Sequence, residues 1–94
     1  MPKSLRTQHN EIFLALLRDR REALGLRQAD LAERLGQTQA TVSRVETGET
    51  RLDIIELRTW LQALNVSFLA FMKHLDMKLD DRTRTFRQLD RTGR

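Results

Sequence analysis

The chain has 94 residues, no cysteine, and 17 basic against 13 acidic residues, a formal net charge of +4. Its length argues for one domain with a modest core. The lack of cysteine excludes disulfides and thiolate metal sites, and no apolar run of about 18 residues exists to span a membrane. No apolar stretch follows Lys3 and Arg6 to form a secretory leader, so a cytoplasmic protein is expected. The basic excess lies in the ends. Residues 1–8 carry two cations and no acid, and residues 76–94 carry six cations and four acids. Residues 9–75 carry nine of each, so net charge is a weak argument for a polyanionic partner.

The only proline is Pro2, and apolar residues recur at helical spacing, which predicts an all-α chain. A flexible arm is expected over residues 1–9. The first helix is expected from about Asn10, as N-cap, to Leu24, with Phe13, Leu16, Leu17 and Leu24 on its apolar stripe and Gly25 ending it. A short second helix is expected over Gln28–Leu35, burying Leu31, Ala32 and Leu35, and Gly36 ends it. A third is expected over Gln39–Thr47, capped by Thr38, with Val42 and Val45 inward and Gly48 at its end. A fourth spans about Ile54–Leu64, opened by Asp53 and Glu56 at capping-box spacing and closed by Asn65. A fifth starts after Ser67 at Phe68 and reaches Leu75 or a little beyond. Residues 76–94 read as a charged C-terminal extension, either a fraying helix or a disordered tail. The compact domain is thus expected over residues 10–75.

Two short helices joined by two or three residues must cross at a large angle, so one can brace the other. Ala29 and Ala32 are small enough for close packing, and Gly36 supplies the turn. With Val42 and Val45 inward, Gln39, Ala40, Ser43 and Arg44 remain on the outer face of the third helix. Glutamine can pair with adenine, arginine with guanine, and alanine can meet a thymine methyl. By spacing alone, an ordinary solvated helix face is an equal reading.

The run Leu26-Arg27-Gln28-Ala29-Asp30-Leu31-Ala32-Glu33-Arg34-Leu35-Gly36, followed by Val42-Ser43-Arg44-Val45-Glu46-Thr47-Gly48, resembles the XRE family of helix-turn-helix regulators. These are similar to the phage lambda repressor and Cro proteins. The resemblance covers about residues 10–75 and includes Leu64-Asn65-Val66-Ser67. It implies a compact five-helix, lambda-repressor-like domain with its third helix in the DNA major groove. It places Gln39, Ala40 and Arg44 at base-reading positions, with Ser43 beside them. Arg27, Gln28, Thr38, Thr47 and Arg51 fall at phosphate-contacting positions. Arg27 stands where many members have a capping Ser or Thr, so the cap is expected to be lost. Position 40 is alanine, so one hydrogen-bonding reader is absent. The resemblance also implies an ion pair between Arg21 and Glu46 that supports the third helix, as Gly36 supports the turn.

Phe68 and Phe71 match core positions of the family, which leaves Leu69, Met72 and Leu75 over. These three are expected to form a homodimer interface, and the alternative is a monomer whose tail covers them. Trp60 reads as core, and His9 and His74 as surface residues. No nucleophile–base constellation, phosphate-cradling glycine loop or paired-carboxylate cleft is present, so neither catalysis nor a cofactor or metal is expected. The implied function is a sequence-specific transcriptional regulator, a repressor acting as a homodimer on double-stranded DNA. An antitoxin that also binds a toxin protein, or a restriction–modification controller, is the alternative.

Overall fold

Ser4, Thr38, Asp53 and Ser67 each precede an apolar helical run, and each caps a helix. In a computed structural model that describes residues 3–92, five helices follow in order. These are α1 (Leu5–Ala23), α2 (Gln28–Leu35), α3 (Gln39–Glu46), α4 (Ile54–Ala63) and α5 (Phe68–Thr92). Among the described residues there is no strand. The side chain of Ser4 accepts the Thr7 N–H, and that of Thr38 accepts the Thr41 N–H. Asp53 and Glu56 exchange both bonds of a capping box. Ser67 accepts the Ala70 N–H.

The core gathers the inward stripes of all five helices. Leu16 and Leu17 of α1 meet Leu31 and Ala32 of α2 and Val42 and Val45 of α3. Leu57, Trp60 and Leu61 of α4, Leu64 at its C-cap, and Phe71 of α5 complete it. Phe13 stands edge-on to Phe71, with ring centroids 6.2 Å apart and planes at 82°. Burying a leucine of this kind stabilises the fold by about 2 kcal/mol. Arg34 of α2 donates to the Ala63 carbonyl at the end of α4, 2.8 Å away, so α2 is tied to α4 by a polar contact as well.

The helices that differ most from the sequence expectation are the two that pair with each other. α1 starts at Leu5, five residues before Asn10, because Ser4 rather than Asn10 is the cap. Residues 5–9 of the expected arm are therefore helical. α5 runs unbroken to Thr92, so residues 76–92 of the expected extension are helix rather than loose tail. Residues 1–2 of the arm and 93–94 of the extension lie outside the described residues. The two helices run antiparallel, since His9 Nε2 bonds Thr83 Oγ1 at 2.9 Å near one end and Arg20 meets His74 near the other. Gln8 also accepts from Arg82. Both histidines are thus contacts between helices rather than plain surface residues.

This pairing explains other departures. Met72 and Leu75 are not left over from the core: they are half-buried and pack against it. Leu69 stays 78% exposed. At 100° per residue, Leu75 lies about 120° around α5 from Leu69 with Met72 between them, and of the three only Leu69 is exposed. Leu24 caps the end of α1 outside its apolar stripe and is exposed. Ala29 is exposed as well, so only Ala32 provides the close approach between α2 and α3.

Candidate nucleic-acid interface

Residues 36–38 join α2 to α3. Gly36 takes φ 66°, a left-handed conformation that costs little without a Cβ, and the Gln37 N–H returns to the Ala32 carbonyl at 2.9 Å. The turn brings the first residues of α2 and α3 together, with Gln39 Nε2 2.6 Å from Gln28 Oε1. The N-terminal ends of both helices therefore open on the same edge, where unbonded N–H groups and the helix dipoles favour anions.

Gln39, Ala40 and Arg44 are exposed on α3, and Ser43 beside them is half-buried. Gln39 with Ser43, and Ala40 with Arg44, are i,i+4 neighbours, so the four make one patch. Past α3, Thr47 donates its hydroxyl to the Arg44 carbonyl, and Arg51 extends from the loop before α4. The guanidinium groups of Arg44 and Arg51 meet no carboxylate among the described residues.

Behind this patch runs a polar relay. Arg21 and Glu46, the two buried charged residues among those described, form a bidentate pair. Arg21 Nε donates to Glu46 Oε2 at 2.7 Å and Nη2 donates to Oε1 at 3.0 Å. Arg21 Nη1 donates to the Leu26 carbonyl at 2.7 Å. The hydrogen bonds to Glu46, then the attraction of Glu46 and of Glu22, raise the Arg21 guanidinium above its ordinary range against the opposing effect of burial. Gln28 Nε2 donates to the same Glu46 Oε1 at 3.0 Å. An ionised carboxylate only accepts, so Gln28 must turn its NH₂ towards Glu46. Its carbonyl oxygen then faces α3, and Gln39 must donate to it. The relay thereby sets which way the Gln39 amide points and leaves its oxygen and one N–H for a ligand.

Arg27 gives α2 no side-chain cap, as expected, but its cation is engaged rather than free. Its backbone N–H donates to Asp30 Oδ2 at 2.8 Å, which is the acidic half of a capping box. Its guanidinium donates to both Asp30 oxygens, at 3.0 and 2.9 Å. The sequence signal was the i,i+3 spacing of Arg27 and Asp30. The hydrogen bond from the Arg27 side chain, and then that from its backbone, hold the Asp30 carboxyl down at about 2. A carboxyl lowered on folding stabilises the fold above its ordinary pKa, and that contribution is lost as pH falls towards 2. The melting temperature of the native protein should therefore exceed that of Asp30→Asn at pH 6, and the gap should narrow as pH falls and close only below about pH 2. A gap independent of pH would contradict this assignment.

An eight-residue helix, a three-residue turn, and a second eight-residue helix with an exposed polar face make a helix-turn-helix. The helix-turn-helix family model matches residues 17–71, more than half the chain. The chain belongs to this XRE-type helix-turn-helix family. Its five helices are the lambda-repressor-like fold of that family. The protein is accordingly a DNA-binding transcription regulator. No curated protein matches the chain. Among the described residues no helix is long and apolar enough to cross a membrane, and no cluster of His, Cys, Asp and Glu could hold a metal ion.

Proposed function

We propose that this helix-turn-helix protein is a cytoplasmic, sequence-specific repressor that acts as a homodimer on a pseudo-palindromic operator. The relay from Arg21 through Glu46 and Gln28 to Gln39 carries the reading, because an oriented amide at the head of an exposed helix suits base recognition better than solvation. The free oxygen and N–H of Gln39 match the donor and acceptor on the major-groove edge of adenine. Arg44, without an acidic partner, suits the two acceptors of guanine. Ala40 suits a thymine methyl, and Ser43 lends a hydroxyl at the patch margin. Arg51, Thr38 and Gln28 hold phosphates around it, and Thr47 joins them by turning its hydroxyl from the Arg44 carbonyl to a phosphate oxygen. Arg27 contributes less charge to the backbone, since Asp30 already engages its guanidinium. Repression needs no chemistry: a dimer seated on a promoter excludes the polymerase.

Leu69 centres the dimer interface, with Met72 at its edge, while Leu75 serves the α1–α5 packing. Pairing two domains sets two α3 helices about 34 Å apart, one turn of DNA. Sequencing DNA selected by the purified protein should return an inverted repeat, and its affinity should fall steeply with salt. Sedimentation should show a dimer that Leu69→Lys converts to a monomer. Selection that returns no preferred sequence would overturn the reading, and a native monomer at high micromolar concentration would remove the dimer. The antitoxin and controller roles use the same interface. A co-purifying toxin would mark the antitoxin.

A further inference from the structure

A cavity of about 550 Å³ lies between α1, the loop from α3 to α4, and α5, away from the outer face of α3. Its walls carry Phe13, Leu14, Val45, Leu52, Leu75 and Leu79. Arg6, Asn10, Thr50 and Arg51 also line it. Its lining includes two arginines and no carboxylate. Neither guanidinium meets an acceptor among the described residues. The His9 imidazole, also in the lining, is already engaged by Thr83. The loop is pressed hard against α1 at this point. A Cβ on Gly48, which has φ 83°, would stand 3.1 Å from Leu14 Cδ1. The loop backbone at Gly48 thus sits close to the Leu14 side chain on one wall of the space, whose volume falls in the range of small-molecule sites, about 300–1,000 Å³.

We propose that this cavity binds a small amphipathic monoanion, a medium-chain carboxylate, with its alkyl chain among the leucines and its carboxylate between Arg6 and Arg51. The pairing of walls and cations selects that class. An uncharged apolar ligand would leave the two arginines unmatched, and a bare inorganic anion would leave the leucines uncovered. A polyanion would gain from the cations but would not enter. Arg51 has a second claim on it, as a phosphate contact, so a bound carboxylate draws it from DNA. This last step rests on the DNA reading above, and the binding site itself does not.

Octanoate is the probe, titrated into the whole protein and followed by the methyl and amide resonances of Leu14, Leu79 and Gly48. Saturable shifts at these residues are expected below about 10 mM. Octanol and butyrate should each bind more weakly. Arg6→Gln, a change at an exposed position outside the DNA interface, should weaken octanoate about tenfold through loss of one charge-assisted bond. In a parallel measurement at fixed ionic strength, octanoate should lower the affinity of the native protein for its selected DNA, and less so for Arg6→Gln. The proposal is overturned by an absence of shifts, by equal binding of octanol and octanoate, or by an Arg6→Gln protein that binds as the native one does. Shifts that follow protein concentration instead of octanoate would show a second copy in the cavity and also overturn it. A protein that binds octanoate as described yet selects no DNA sequence would refute the regulator reading and leave the site standing.

Discussion

Glu46→Ala should destabilise the domain by about 3–5 kcal/mol, the usual result of stranding one member of a buried pair. The side chains of Arg21 and Glu46 are only 9% and 3% exposed, so water cannot replace the lost carboxylate. Arg21 would keep its bond to the Leu26 carbonyl and lose both bonds to Glu46. Against a total stability of about 5–15 kcal/mol, the loss is a large fraction. It corresponds to a fall in melting temperature of roughly 12–40 °C, at about 4–8 °C per kcal/mol for a domain of this size. Urea unfolding should show a lower midpoint with an unchanged slope. A loss below about 1 kcal/mol would mean that the pair is solvated in solution and does not support α3. The double replacement Arg21→Met with Glu46→Leu separates stability from function. It removes both charges and should recover much of the loss, because apolar residues of similar volume often replace a buried pair without cost. Yet Gln28 would then lack the acceptor that sets its amide, and Gln39 would lose its fixed polarity. The double variant should fold well and discriminate bases poorly.

The second large effect concerns base discrimination. Gln39→Ala and Arg44→Ala should each relax preference at one base pair of the operator half-site, at about 1–3 kcal/mol. Arg51→Ala should instead weaken all sequences about equally and reduce the salt slope by about 1. These outcomes follow from placement: Gln39 and Arg44 stand on α3, and Arg51 lies beyond it in the loop before α4. Gln28→Ala offers the sharper test of the relay. Combined with Gln39→Ala in a double-mutant cycle, it should show coupling, since the two side chains share a 2.6 Å bond. Full additivity would mean that Gln28 acts only on the backbone phosphates. Selected-DNA sequencing for each variant, with salt titration, measures all four.

Much of the fold was legible because it is written in local chemistry. The boundaries of α2 follow from Gln28, the stripe of Leu31, Ala32 and Leu35, and Gly36. The start of α4 follows from Asp53 and Glu56, and its end from Asn65, which takes φ 57°. The outer patch of α3 was legible for the same reason: Val42 and Val45 fix the inward side, and Gln39, Ala40 and Arg44 follow by geometry. The outer ends of α1 and α5 were not legible. Residues 5–9 and 76–92 are mostly polar, and a polar helix shows its value only when a partner lies beside it. Phe86, Leu79 and Thr83 are half-buried within this antiparallel pair. The same pairing turned Met72 and Leu75 inward and enclosed the cavity behind Gly48.

Spacing and capping residues by themselves thus determined that the chain is helical, where its short helices start and stop, and which residues of α3 look outward. Those choices are made over one or two turns, where propensity, caps and a 3.6-residue stripe act together. Only the tertiary structure decided that Gln39 is aimed rather than merely exposed. The reason is the distance in sequence between Arg21, Gln28, Gln39 and Glu46. Their bonds span up to 25 residues and form only when α1, α2 and α3 are packed. An acceptor-only carboxylate, buried by that packing, then passes a fixed hydrogen-bond direction out to the surface of the helix-turn-helix.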